Sequence, residues 1–107
     1  MNTTPTIPTI TFYPNASGVI TEAEVDSKLN SYFGGTTTGQ TNPNRAEEFI
    51  AEFGPGVTSF GDWAFNNCSN MELTELPAGI TSIGNAAFQA CSNLTLTELP
   101  AGIISIG

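Results

Sequence analysis

The chain has 107 residues and a formal net charge of −8, because ten acidic residues are balanced only by Lys28 and Arg45. This charge repels phosphate backbones and anionic membrane surfaces, which excludes nucleic acid and membrane as expected partners. There is no histidine, and two cysteines make neither a disulfide framework nor a zinc site. We therefore expect one small domain with no cofactor, no metal and no catalytic residues, and hence not an enzyme.

Residues 1–20 have the composition of an extended segment. Three prolines disfavour a helix, and the alternation of threonine with isoleucine favours extended backbone. The segment is predicted to be either an edge strand or an arm that becomes ordered on a partner. In the second case its apolar side chains would contact that partner, namely Ile7, Ile10, Phe12 and Tyr13. No positively charged and apolar leader opens the segment, so a secretory signal is not expected.

Residues 21–54 are predicted to form two short helices. Thr21-Glu22-Ala23-Glu24 is a capping box that opens the first helix, and Gly34-Gly35 ends it. The second helix is predicted to begin at Asn44 and to end at Gly54-Pro55. It would cap the repeats that follow, whereas the first helix either extends this cap or docks onto another protein, with Tyr32 in the interface.

Residues 55–107 contain a 23-residue repeat. Residues 56–78 read GVTSFGDWAFNNCSNMELTELPA, residues 79–101 read GITSIGNAAFQACSNLTLTELPA, and a third copy begins at Gly102. The apolar positions keep neither a helical nor a strand period across the unit, so each unit is predicted to be one coil that stacks on the next. Phe88 would then be buried between coils. Cys68 and Cys91 occupy the same repeat position and are expected to be buried free thiols.

The pattern LPxxxTSIGxxAFxxCSxL resembles the BspA-like class of leucine-rich repeats, over about residues 55–107. The resemblance implies a right-handed solenoid with a concave strand near Leu73–Leu76 and Leu96–Leu99. It also implies a second short strand near Thr58–Phe60 and Thr81–Ile83. The predicted fold class is therefore α+β: a leucine-rich-repeat solenoid with 23-residue repeats, preceded by a helical N-terminal cap and an extended N-terminal arm.

Several positions of the repeat leave alternatives open. Thr74 stands where the family usually has an apolar residue, so either its methyl group fills the core or the strand carries a bulge. Glu75 and Glu98 would lie side by side on adjacent coils, either as solvated acids or as a cation site, although no calcium-binding loop accompanies them. Trp63 replaces Ala86 of the next repeat, so it either packs on the cap helix or contacts a partner.

These observations favour a non-enzymatic protein-binding or structural module. The resemblance and the extended arm suggest the N-terminal anchoring part of a virion surface protein, such as a phage head or tail fibre; the alternative is a bacterial cell-surface adhesin. The arm would bind a structural protein, and the repeats would bind a surface receptor or glycan, with Trp63, Glu75 and Glu98 in that interface. An oligomeric assembly is expected. Because the sequence stops inside a third repeat, we also expect that the natural chain continues or that another chain covers this end.

Overall fold

Parallel strand pairing organises the part of the chain that the computed structural model describes, which is residues 7–73 and 76–94 and the strand Ser105–Ile106. One helix, α1 (Glu22–Phe33), interrupts a series of short strands. Two 3-10 turns, Gly39–Thr41 and Pro43–Ala46, lie between α1 and the strand that follows. The strands in chain order are β1 (Thr9–Phe12), β2 (Val19–Ile20), β3 (Phe49–Phe53), β4 (Ser59–Phe60), β5 (Met71–Glu72), β6 (Ser82–Ile83) and β7 (Ser105–Ile106).

The strands form two sheets in which every pairing is parallel. Sheet A has the order β1-β3-β5, and sheet B has the order β2-β4-β6-β7. A strand of sheet A and the strand of sheet B that follows it make up one coil of the chain, and in the second and third coils the turns that follow, at residues 61–70 and 84–94, belong to the same coil. Three such coils stack in register over residues 9–20, 49–60 and 71–83. Over the described residues, the architecture is thus a repeat fold of the α+β class with one α-helix.

The strand register confirms the 23-residue repeat. Ser59 pairs with Ser82, and Ser82 pairs with Ser105. The Thr81 amide donates to the Thr58 carbonyl at 2.8 Å, and the Thr81 hydroxyl donates to the same oxygen at 3.2 Å. The short strands predicted near residues 58–60 and 81–83 are present as β4 and β6. Equivalent residues of successive repeats therefore lie beside each other in sheet B.

The first coil lies within residues 7–20, where β1 is an edge strand of sheet A. Of the two alternatives predicted for this segment, the edge strand is therefore the one observed, and the arm awaiting a partner is wrong. β1 pairs along its whole length with β3, and Ile10 and Phe12 are only 2% and 1% exposed. The Thr58 amide and hydroxyl both donate to the Gly18 carbonyl, at 2.8 and 3.2 Å. These are the contacts that Thr81 makes one coil later. Two of the side chains that were expected to meet a partner, Ile10 and Phe12, instead lie in the core of the chain.

Helix α1 begins and ends where the sequence predicts. Thr21 accepts a hydrogen bond from the Glu24 amide at 3.3 Å, and the Glu24 carboxylate accepts one from the Thr21 amide at 2.8 Å. At the other end, the Gly34 amide donates to the Asn30 carbonyl, and Gly34 has a φ of 88°. Val25 and Leu29 are fully buried in the core. The apolar face of α1 therefore packs against its own chain rather than awaiting another protein.

The second predicted helix, over residues 44–54, is wrong. Residues 43–46 form a 3-10 turn, and Phe49–Phe53 is the strand β3 at the centre of sheet A. Phe49 and Ala51 point into the core, whereas Glu52 is exposed, which is the alternation of a strand. The same segment also has apolar residues at helical spacing, so pairing with β1 and β5 decides its conformation. Trp63 consequently has no cap helix in this region to pack against.

The strand of sheet A in the third coil lies earlier than predicted. The expected strand near Leu73–Leu76 is observed as β5, Met71–Glu72, while Leu73 and Leu76 are buried. Its predicted counterpart near residues 96–99 lies outside the described residues, as do Thr74, Glu75 and Glu98.

An aromatic cluster fills the space between the sheets, with the fully buried Phe65 at its centre. The Phe65 ring makes edge contacts with Phe12, Phe53 and Phe60 and stacks on Phe88 with a centroid separation of 5.5 Å. Phe88, predicted to be buried, is only partly so. Phe65 and Phe88 occupy the same repeat position, and of the two Phe65 contributes more to the core.

Candidate binding surfaces

The side chains predicted to bind partners are scattered over the molecule. Ile10 and Phe12 are in the core, and Ile7 is half-buried before β1. Trp63 is half-buried in a turn of the second coil, where its carbonyl accepts a hydrogen bond from Arg45 at 3.5 Å. Two of the predicted residues are large exposed aromatics, Tyr13 at 56% and Tyr32 at 57%. Glu75 and Glu98 lie outside the described residues.

The outward face of sheet A carries two rows of side chains. One row crosses all three strands and consists of Thr9, Ile50 and Glu72, which the register places side by side. The other consists of Thr11 and Glu52 on β1 and β3. Residues between these positions point into the core, so the sheet beneath both rows is packed on its other side. Within a row, residues on neighbouring strands are about 4.8 Å apart. We call these five side chains the sheet A face.

A second accessible surface lies where the end of β1 meets α1. The Lys28 ammonium lies 5.4 Å from the centroid of the Tyr13 ring, a cation–π contact. Tyr32 is four residues after Lys28 and hence on the same side of α1, and its ring makes an edge contact with Phe33 at 4.9 Å. A groove with a volume of about 260 Å³ is lined by Tyr13, Glu24, Ser27, Lys28 and Ser31.

A buried ion pair fixes α1 to the second coil. Arg45 and Asp26 are 1% and 3% exposed, and the Arg45 Nε lies 3.1 Å from Asp26 Oδ1. The other side of the guanidinium reaches the second coil, where Nη1 donates to the carbonyls of Ala64 and Asn66 at 2.9 and 3.0 Å. The ion pair therefore joins α1 to a turn that lies about 20 residues further along the chain than Arg45 itself.

Asparagine side chains complete this polar network. Asp26 also accepts from the Gly39 amide at 2.7 Å and from Asn42 Nδ2 at 3.0 Å. Asn44 Nδ2 donates to Asn30 Oδ1 and to the Gly34 carbonyl, which ties the turn at 43–46 to the end of α1. Sequence reasoning missed this network. The sequence contains one sign of this network, which is that its only arginine follows Pro43-Asn44 in a segment with several asparagines.

The network also determines which positive charge a ligand can reach. Only two basic side chains exist in the chain, and Arg45 is fully enclosed by its hydrogen-bond partners. Lys28 is exposed. It is therefore the one basic side chain available to a ligand, and it lies in the groove beside Tyr13.

The two cysteines are free and buried, as the repeat predicts. Burial raises the pKa of the Cys68 thiol to about 12, although Arg45 nearby acts in the opposite direction. Burial also raises the pKa of the Cys91 thiol, to about 11. The Cys91 thiol donates to the Phe65 carbonyl at 3.0 Å. Both sulfurs are thus held as neutral thiols, which are poor nucleophiles.

Within residues 7–73 and 76–94, no three His, Cys, Asp or Glu side chains come together in a way that could hold a metal ion. The same described residues include no helix that is long and apolar enough to cross a membrane. The open choice between solvated acids and a cation site at Glu75 and Glu98 stays a prediction.

Comparison with known proteins identifies the repeat region. Residues 48–107 match the family model described as the BspA type leucine-rich repeat region (6 copies). The match begins just before β3 and includes the two complete 23-residue units. A search of curated proteins and a search of solved structures gave no match. Since the family match spans more than half of the residues, the chain belongs to the BspA-type leucine-rich-repeat family.

Proposed function

We propose that the chain is the recognition part of a leucine-rich-repeat solenoid that binds a protein through the sheet A face. The family is typically a non-enzymatic protein-interaction module. The observation that carries the proposal is the register of sheet A, which aligns Thr9, Ile50 and Glu72 across three strands. The strands beneath these side chains are already ordered, so binding does not pay for ordering the backbone, which favours recognition.

The chemistry of the sheet A face favours a basic partner. Glu52 is exposed and Glu72 is half-exposed, and they flank the half-buried Ile50. An acidic surface on a chain with a net charge of −8 attracts positively charged proteins and repels acidic ones. Ile50 supplies an apolar contact between the two carboxylates. The expected partner is a protein surface with lysine or arginine around an apolar side chain.

A charge-reversal experiment tests this proposal. Glu52→Lys combined with Glu72→Lys changes the sheet A face, whereas Glu47→Lys combined with Glu48→Lys makes the same change of net charge at exposed positions that precede β3. Partners are captured from the native source on each immobilised variant and compared with the unmodified chain. A partner retained by the unmodified chain and by the control, but lost by the sheet A variant, supports the proposal. A partner lost equally by both variants means that only the overall charge matters, which overturns it.

We also propose that the module works at a surface, in line with its family, whose members are typically surface or extracellular proteins. A virion surface and a bacterial cell surface are the two candidate settings. Anchoring through Ile10 and Phe12 is not part of this proposal, because both side chains are in the core. Immunodetection of the chain in purified virions, compared with its detection on intact cells, distinguishes the two settings.

A further inference from the structure

The groove between Tyr13 and α1 has the donor and acceptor pattern of a ligand site. Its helical wall consists of Glu24, Ser27, Lys28 and Ser31, which share one stripe of α1. Both serines are exposed, and among the described residues neither hydroxyl has a hydrogen-bond partner. Lysine only donates, an ionised carboxylate only accepts, and a serine hydroxyl does both. The groove therefore offers all three kinds of polar partner within two turns of helix.

The opposite wall is the ring of Tyr13, which contacts Gly54 and Lys28. The Tyr13 ring lies against Gly54, where a Cβ atom would come within 2.3 Å of the ring. Lys28 contacts the ring from α1, yet Tyr13 remains 56% exposed. Only glycine at position 54 leaves room for this placement of the ring. The groove thus combines an exposed, positioned aromatic edge with hydroxyls and one pair of opposite charges.

The charge of the groove selects against anions. Lys28 is followed and preceded by no other basic residue on α1, and Glu24 lies one turn away in the same groove. A polyanion would meet one ammonium group beside a carboxylate on a strongly acidic chain, which is unfavourable. A neutral molecule with adjacent hydroxyl groups fits better, because one hydroxyl accepts from Lys28 while its neighbour donates to Glu24 Oε2. Glu24 Oε1 is engaged by Thr21, and the carbon–hydrogen groups of the molecule contact the exposed edge of Tyr13.

We propose that this groove, lined by Tyr13, Glu24, Ser27, Lys28 and Ser31, binds a neutral saccharide. The site is separate from the sheet A face and does not depend on the protein-binding function proposed for that face. A volume of about 260 Å³ accommodates one sugar ring of a longer chain. An open groove with a few hydrogen bonds gives weak affinity, with a Kd on the order of millimolar, so binding relies on several sugars or several copies.

The proposal is tested by NMR titration of the full 107-residue chain labelled with ¹⁵N. The probes are maltotriose, cellotriose, mannotriose, chitotriose and lactose. At least one probe should shift the amide signals of Ser27, Lys28 and Ser31 saturably. No shift with any of the five at tens of millimolar overturns the proposal. Stronger binding of galacturonate than of galactose also overturns it, since the ligand would then be an anion.

Variants separate the groove from nonspecific binding. Ser27→Ala combined with Ser31→Ala should weaken binding by at least about fivefold without lowering the thermal midpoint, because alanine has a higher helix propensity than serine. Gly54→Ala should weaken it as well, because the new methyl group displaces the Tyr13 ring without changing the chemical identity of any residue that lines the groove. Ser17→Ala, at an exposed serine in the turn before β2, is the matched control and should bind as the unmodified chain does. Equal binding by all these variants would place the ligand elsewhere and refute the assignment.

Discussion

Removing the Asp26 carboxylate should destabilise the fold more than any other single polar substitution among the described residues. In Asp26→Ala, the buried Arg45 guanidinium loses its counter-charge while its Nε remains enclosed. The Gly39 amide loses its acceptor, and Asn42 Nδ2 retains only Asn30 Oδ1. Leaving one partner of a buried ion pair uncompensated costs about 3–5 kcal/mol. A domain of this size has about 5–15 kcal/mol in total, so the variant should be close to unfolding.

Urea titration followed by Trp63 fluorescence and far-UV circular dichroism measures this loss. Trp63 is the only tryptophan, and its carbonyl lies beside Arg45, so its emission reports on the second coil. Glu47→Ala, which removes an exposed carboxylate, should change the free energy of unfolding by less than about 0.5 kcal/mol. Adding Arg45→Met to Asp26→Ala should recover part of the loss, because the orphaned charge is removed. A cost below about 1 kcal/mol for Asp26→Ala would refute the view that the network holds α1 in place.

Three further predictions concern the core and the turns. Phe65→Ala should lower the free energy of unfolding by about 3–5 kcal/mol in urea titration, because the ring is fully buried among four other rings; an unchanged midpoint would contradict the stacked-coil packing. Ala90→Gly should raise the thermal midpoint and add about 1 kcal/mol to the free energy of unfolding, because Ala90 has a φ of 62°, which strains an alanine but not a glycine. The control, Ala23→Gly in α1, should lower the midpoint. A lower midpoint in both variants would mean that the left-handed conformation of Ala90 costs little. Because the pKa values of the Cys68 and Cys91 thiols are raised to about 12 and 11, the unfolded chain releases these protons from about pH 9 while the folded chain keeps them. The stabilisation that comes from the protonated thiols is complete below pH 9 and should be lost as the pH rises through 11. The free energy of unfolding of the variant with both cysteines changed to alanine should therefore fall less over this pH range. An equal fall in both proteins would show that other groups cause it.

The elements that sequence reasoning located are those with a local or a repeated signal. Helix α1 begins at Thr21 because a capping box is a local feature of four residues. The strands β4 and β6 could be predicted because equivalent positions of a repeat pair with each other, as Ser59 does with Ser82. The aromatic candidates Tyr13 and Tyr32 came from residue type alone, and their exposure keeps them available to a ligand.

The elements that could not be placed depend on partners distant in sequence. Residues 49–53 fit both a helix and a strand, and only pairing with β1 and β5 selects the strand. β1 was undecided for the same reason, since its partner lies about 40 residues away and the intervening helix hides the similarity of the first coil to the later ones. The ion pair between Asp26 and Arg45 has no local signature, because a charged residue is ordinarily expected at the surface.

The first coil shows how a repeat fold accommodates a long insertion. Gly18 and Thr58 make the same contact as Thr58 and Thr81, yet 40 residues separate the first pair and 23 the second. Stacking requires only that the strands stay in register, so the connection between them is free to lengthen if its buried polar groups find partners. Asp26, Arg45 and the neighbouring asparagines supply those partners. The insertion is thereby fixed to the repeats, and enclosing the only arginine leaves Lys28 as the one basic side chain that is exposed.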